Sequence, residues 1–306
     1  MLVVVCPGQG AQAPGMLEPW LTLEPFAQAI AHYSEVTGLD LARLGTTADA
    51  DEIRDTAIAQ PLLVATALAS ATALGVGTAV TPGLVAGHSV GEFGAAALAG
   101  VVTADDALRL VTARGAAMAR AAADSEPTSM AAVLGGEPDQ VAESLEKYAL
   151  TAANVNGGGQ VVAAGAKVGI EALVANPPER ARVIELHVAG AFHTDYMASA
   201  VEALRVAAAS TPASDPHTPL LSNADGEAVA SGTDAVDRLV KQVANPVRWD
   251  LCMEAMEARG VTGIIELAPG GVLVGLAKRV LKGVPAVALK SPADLDAALA
   301  LAQEAS

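Results

Sequence analysis

The stretch Leu84-Val85-Ala86-Gly87-His88-Ser89-Val90-Gly91-Glu92 decides how this chain is read. Its first residues are a short apolar run, its centre is a Gly-x-Ser-x-Gly pentapeptide, and an Ala-rich helical pattern follows at 91–99. Strand, sharp turn and helix in that order make a nucleophile elbow, in which the turn lifts the serine hydroxyl off the end of a sheet. The glycines fit because a Cβ at Gly87 or Gly91 would crowd the strand-to-helix crossing. The helix start aims unpaired N–H groups and the positive end of its dipole at the serine oxygen. A serine that merely caps a helix after a glycine turn is the plainer alternative. The flanking pattern favours a catalytic Ser89.

Working outward, residues 2–5 read as a buried strand leading into the turn Pro7-Gly8-Gln9-Gly10-Ala11-Gln12. Helical patterns follow at 24–37, 50–57, 59–75 and 103–122, and such alternation predicts a parallel α/β sheet. The rhythm changes after Asp124-Ser125-Glu126-Pro127. Strands at 130–134, 151–155, 160–164 and 182–188, with helices at 138–148 and 168–175, give the order βαββαβ of the ferredoxin-like unit. Asn156-Gly157-Gly158-Gly159 is its hairpin turn. Helices are then expected near 194–209 and 233–243, strands at 218–222 and 263–267, and a helix at 272–281 after Ala268-Pro269-Gly270-Gly271. The expected fold class is α/β: an α/β-hydrolase-like parallel-sheet core (residues 1–123 and 190–306) with an inserted ferredoxin-like small subdomain (residues 124–189).

Composition sets limits. Half of the 306 residues are apolar but only 3% are aromatic, so the core is built from Ala, Val and Leu. No apolar run is long enough to span a membrane: the longest candidate, 61–74, is broken by Thr66, Ser70 and Thr72. The start of the chain lacks the basic residues and cleavage site of a signal peptide. Cys6 and Cys252 are isolated thiols, which suits a cytoplasmic protein. The five histidines show no metal-binding spacing, so no metal is expected. A net charge of −16 disfavours nucleic acid as a partner.

Several motifs together resemble one family. Pro7-Gly8-Gln9-Gly10, Gly87-His88-Ser89-Val90-Gly91-Glu92, Arg114-Gly115, Asn154-Val155-Asn156, Ala191-Phe192-His193, Asn245-Pro246-Val247-Arg248-Trp249 and Pro269-Gly270 follow in the order and spacing of malonyl-CoA:acyl carrier protein transacylases. The resemblance spans essentially the whole chain, and it extends to the acyltransferase domains of modular synthases. It implies transfer of malonyl from malonyl-CoA to acyl carrier protein, for fatty acid or polyketide synthesis, with no cofactor.

The resemblance also implies roles. Ser89 is the nucleophile and His193 its base, with the imidazole oriented by a backbone carbonyl at Gln242 in place of a carboxylate. The Gln9 and Val90 N–H groups form the oxyanion hole. Arg114, set among apolar residues at 111–119, takes the free malonyl carboxylate, whereas Arg109 and Arg120 snorkel to the surface. Phe192 restricts substituents at the α-carbon. Asn154 and Asn156 line the cleft, although hairpin asparagines also serve as plain turn formers, and His88 adjoins the pocket. Arg248 stands where family members carry differing polar residues.

Two rivals stand beside this reading. A serine esterase or thioesterase would place an acid between serine and histidine in sequence; Asp105, Asp106 and Asp124 lie there, on helix or linker patterns. A non-catalytic carrier-docking protein is the other. Acidic acyl carrier proteins meeting a chain of −16 need a local basic patch, for which Lys278, Arg279 and Lys282 are the densest cluster, with Arg180 and Arg182 as the alternative.

Overall fold

In the computed structural model, which describes residues 1–305, strand β1 (Leu2–Cys6) is buried along its whole length. A strand buried on both faces needs neighbours on both sides and helices above and below. It has them. Parallel partners are β2 (Leu84–Gly87), in register Val4↔Val85, and β8 (Gly263–Glu266), in register Val3↔Ile264. β9 (Ala286–Ala288) completes a four-stranded parallel sheet of order β2-β1-β8-β9.

The second sheet has five strands: β3 (Thr128–Gly135), β4 (Thr151–Gly157), β5 (Gln160–Ala166), β6 (Ala181–Leu186) and β7 (Val247–Arg248), in the order β6-β3-β5-β4-β7. The helices Pro138–Lys147 and Lys167–Ala175 connect β3 to β4 and β5 to β6. Pairing is antiparallel except between β4 and β7, which run parallel. Gly158 and Gly159 turn β4 into β5 at φ +56° and +75°, as a tight hairpin between right-twisted strands requires. Register shifts in β4 flank Asn154 and Asn156, and both side chains are buried on one face. The strand β7 comes from the far side of the sequence, so the second sheet is not closed within residues 124–189.

The helix Thr56–Leu74 is apolar on all sides and long enough to cross a membrane, yet most of it is buried in this fold. It packs against the helices Glu24–Thr37 and Ala104–Asp124. The expected helix at 50–57 is instead a short 3₁₀ turn (Glu52–Arg54) followed by an extended Asp55, whose carboxylate caps the helix Thr56–Leu74. The expected strand at 218–222 is reduced to single bridges, Leu220 to Val85 and Leu221 to Ala228. Pro219 has no N–H to extend a ladder, and the chain turns away directly after Ser222. At the end of β8, the buried Glu266 accepts N–H bonds from Gly271, Leu273 and Val274, satisfying the start of the helix Val272–Val280.

Candidate active site

Ser89 lies directly beyond the end of β2 at φ +52°, and the helix Gly91–Leu98 begins two residues later. A side chain enters this left-handed region at a cost of about 1–2 kcal/mol. Both flanking glycines are required by contact. A Cβ on Gly87 would overlap the Gly91 carbonyl group, and one on Gly91 would overlap the Cys6 carbonyl oxygen.

His193, also at positive φ (+60°), faces the serine from the loop after β6. Its Nε2 lies 2.7 Å from Ser89 Oγ and its Nδ1 lies 2.8 Å from the Gln242 carbonyl oxygen. A carbonyl only accepts, so the proton belongs on Nδ1, and Nε2 is left to accept from the Ser89 hydroxyl. Burial, then the Arg114 charge, pushes the imidazole down to about 3, which keeps it neutral. None of the acids weighed between serine and histidine orients it. Asp105 pairs with His32 at 2.8 Å, Asp106 pairs with Arg109 at 2.9 Å, and Asp124 ends its helix at the exposed surface.

Arg114 is 1% exposed, on the long helix Ala104–Asp124. Nη1 donates to Gln60 Oε1 at 2.7 Å, and Nη2 donates to Gln242 Oε1 at 2.9 Å and to Ser89 Oγ at 3.4 Å. Its Nε is buried without a partner, and the group stands 5.7 Å from the Phe93 ring centroid. Among the described residues no carboxylate forms an ion pair with it. Burial lowers it to about 10, partly offset by Glu92, so it remains a cation. A buried cation held by two neutral amides beside a serine hydroxyl has the charge and donors to pair with an anionic group. Arg109 and Arg120 are exposed, as the sequence suggests.

A cavity of about 300 Å³ opens over the pair, lined among others by Gln9, Gln60, His88, Asn154, Asn156 and Phe192. His88 Nε2 lies 2.8 Å from Asn156 Oδ1, tying the elbow to β4, and burial lowers the His88 pKa. The Gln9 side chain donates weakly to Thr56 Oγ1 at 3.4 Å. Neither the Gln9 nor the Val90 amide is spent on a turn or loop hydrogen bond among the described residues. Val90 is fully buried at the start of the elbow helix. No cluster of three or more His, Cys, Asp or Glu side chains suited to a metal occurs among the described residues.

Three residues of the site carried no role in the sequence reading: Gln60, Asn223 and Glu92. Gln60 has a signal, as the one amide side chain in the largely apolar helix Thr56–Leu74. Glu92 is buried against the Asn223 N–H and the Gln242 side chain, and burial pushes it up to about 8. Asn223 sits in a turn with nothing around it in sequence to mark it.

Residues 3–294 match the family model of the acyl transferase domain. The chain is 52% identical over 299 residues to the malonyl CoA-acyl carrier protein transacylase of Mycobacterium tuberculosis strain H37Rv, covering 97% of this chain and 98% of that one. The crystal structure of MCAT from Mycobacterium tuberculosis superposes with a TM-score of 0.93 at 51% identity, over 99% of both chains. A malonyl-transacylase solved in complex with a type II PKS acyl-carrier protein superposes at 0.91 with 32% identity, over 98% of this chain and 99% of that one. With that coverage and a Ser89–His193 pair at the elbow, the chain belongs to the acyl transferase family, among the malonyl CoA-acyl carrier protein transacylases.

Proposed function

We propose that the chain transfers malonyl from malonyl-CoA to the phosphopantetheine thiol of acyl carrier protein, by a ping-pong route through malonyl-Ser89. The observation that carries the reading is the single constellation of Ser89, His193 and Arg114, in which base and cation both reach Ser89 Oγ, at 2.7 and 3.4 Å. Arg114 pairs with the malonyl carboxylate, its guanidinium turning N–H donors now held by the Gln60 and Gln242 amide oxygens to the two carboxylate oxygens as a fork. His193 Nε2 takes the Ser89 proton as Oγ attacks the thioester carbonyl. The oxyanion is held by the Gln9 and Val90 N–H groups, each worth about 3 kcal/mol by analogy with measured oxyanion holes. The carbon–sulfur bond then breaks and His193 returns its proton to the CoA sulfur. The carrier thiol repeats these steps in reverse order, giving its proton to His193 and taking the acyl group from Ser89.

In this reading His88, Asn154 and Asn156 border the pantetheine arm, and Phe192 limits the α-carbon. Charge is handled by side chains and amides throughout, with CoA as a carrier on the substrate and no bound cofactor in the route. The parallel sheet with its elbow supports an α/β-hydrolase-like core formed by residues 1–123 and 190–306. The β6-β3-β5-β4 order supports a ferredoxin-like subdomain at 124–189, augmented by β7. Two buried free thiols suit a cytoplasmic site.

The test is incubation with malonyl-CoA followed by mass spectrometry of the intact protein, with Ser89→Ala alongside. A malonyl adduct in the parent that is absent from Ser89→Ala is expected. Free malonate released as fast as CoA would make the chain a hydrolase, and no adduct would leave it a carrier-docking protein.

A further inference from the structure

The nucleophile's backbone is held by a residue 134 positions away in sequence. Asn223 is completely buried, and its side-chain amide spans both sides of the elbow. Oδ1 accepts from the Ser89 N–H at 2.8 Å, and Nδ2 donates to the Gly87 carbonyl oxygen at 2.8 Å. The asparagine is itself fixed from two directions. Its N–H donates to Glu92 Oε1 at 2.7 Å, and its carbonyl accepts from the Arg248 N–H at 2.8 Å. The other Glu92 oxygen accepts from Gln242 Nε2, which also donates to the Ser89 carbonyl at 3.2 Å.

We propose that Asn223, anchored by Glu92, is a positioning residue for acyl transfer, clamping the backbone on either side of Ser89 so that its hydroxyl stays in line with His193. The inference rests on the malonyl-transfer reading. A side-chain amide is one of the few groups that offer a donor and an acceptor at one end, as this clamp requires. At φ +52° the serine is in a conformation that needs such support. The clamp also has a chemical consequence. The Ser89 N–H already donates to Asn223, so it is not free for the oxyanion, and that task falls to the next amide, Val90, together with Gln9.

The test compares the parent with Asn223→Ala and Asn223→Asp in rapid-quench formation of malonyl-Ser89, scaled to folded protein by circular dichroism. Malonyl-CoA affinity is measured in Ser89→Ala versions of each. Acylation should slow by roughly 10–100-fold in Asn223→Ala, the size of effect a misplacement of about 1 Å produces. Asn223→Asp should lose less, because it keeps the acceptor for the Ser89 N–H. Affinity in the Ser89→Ala background should stay within about twofold. A parental acylation rate in folded Asn223→Asp and Asn223→Ala overturns the clamp. So does a loss carried entirely by affinity, as a general disturbance of the pocket would give. If Asn223→Ala does not fold, Asn223→Asp decides alone. Failure of the parent itself to load would reject malonyl transfer, a result distinguishable because no variant is then needed to see it.

Discussion

Arg114 Nη2 stands 3.4 Å from Ser89 Oγ while the same nitrogen donates to Gln242, the residue whose carbonyl orients His193. In the proposed reaction, substrate anion, nucleophile and base would therefore meet through one guanidinium. Burial and then this charge depress the imidazole; a carboxylate bound to Arg114 would cancel the charge and make His193 a stronger base when a malonyl group arrives.

This coupling predicts an unusual pH dependence. An ordinary histidine protonates below 6.5, whereas His193 stays neutral until about 3. Malonyl-CoA loading should thus hold its rate as pH falls through 6.5 in stopped-flow measurements of kcat/KM. A drop centred near 6.5 would show an ordinary imidazole. Stability carries opposite signs at two groups. His193, with its lowered value, loses stability as pH falls from 6.5 toward 3, and Glu92, raised from 4.5 to about 8, loses it as pH rises from 4.5 toward about 8. Glu92→Gln should accordingly raise Tm relative to the parent above pH 8, read by thermal melts across pH.

Arg114→Ala should exchange substrates more than it disables the enzyme. Malonyl loses its counter-ion, while acetyl-CoA no longer leaves a buried guanidinium unpaired. The acetyl-to-malonyl ratio in competitive loading should rise by at least about tenfold. Equal losses for both substrates would give Arg114 a structural role only.

Much of this site was legible because its demands are local. The elbow shows in sequence since two glycines and a serine must sit at fixed spacing, and overlap at Gly87 and Gly91 bears that out. The βαββαβ order was readable from alternation and a glycine hairpin. Asn223 was not, because a lone asparagine in a turn becomes a clamp only through contacts made 134 residues away. The two-residue strand β7 was equally hidden, being too short to show a period. The run at 218–222 misled for the reverse reason: it is apolar enough for a strand, but a proline leaves it a single bridge to β2.

Phe192, 6% exposed and lining the cavity beside His193, should discriminate between malonyl and its α-methyl homologue. In the proposed reaction Arg114 holds the carboxylate and the oxyanion hole the carbonyl, which would leave the α-carbon little freedom. A methyl is worth roughly 1–3 kcal/mol in such a pocket. Phe192→Ser should shift loading from an equal mixture of the two CoA esters toward methylmalonyl by about tenfold. An unchanged ratio in a folded, active variant would leave the ring with packing alone.

Lys278 and Arg279 are exposed at the far end of the helix whose start, Val272 and Leu273, lines the cavity, and Lys282 is exposed just beyond that end. None forms an ion pair among the described residues. Reversing Lys278 and Arg279 to Glu should raise KM for acyl carrier protein several-fold, roughly the effect of losing complementary rim charges, with malonyl-CoA loading unchanged. Unaltered carrier kinetics would move the dock elsewhere, with Arg180 and Arg182 the next to reverse.

The pairing of β4 with β7 bears on how such enzymes are recombined. A graft that exchanges residues 124–189 between relatives looks natural from chain order, but it would bring a foreign β4 against the host's own Val247 and Arg248. The same host segment gives the Arg248 N–H to Asn223 and so adjoins the serine's support. Chimeras that carry residues 245–249 with the insert keep that seam matched within one parent. Those cut at the apparent borders join two parents across it, next to the nucleophile.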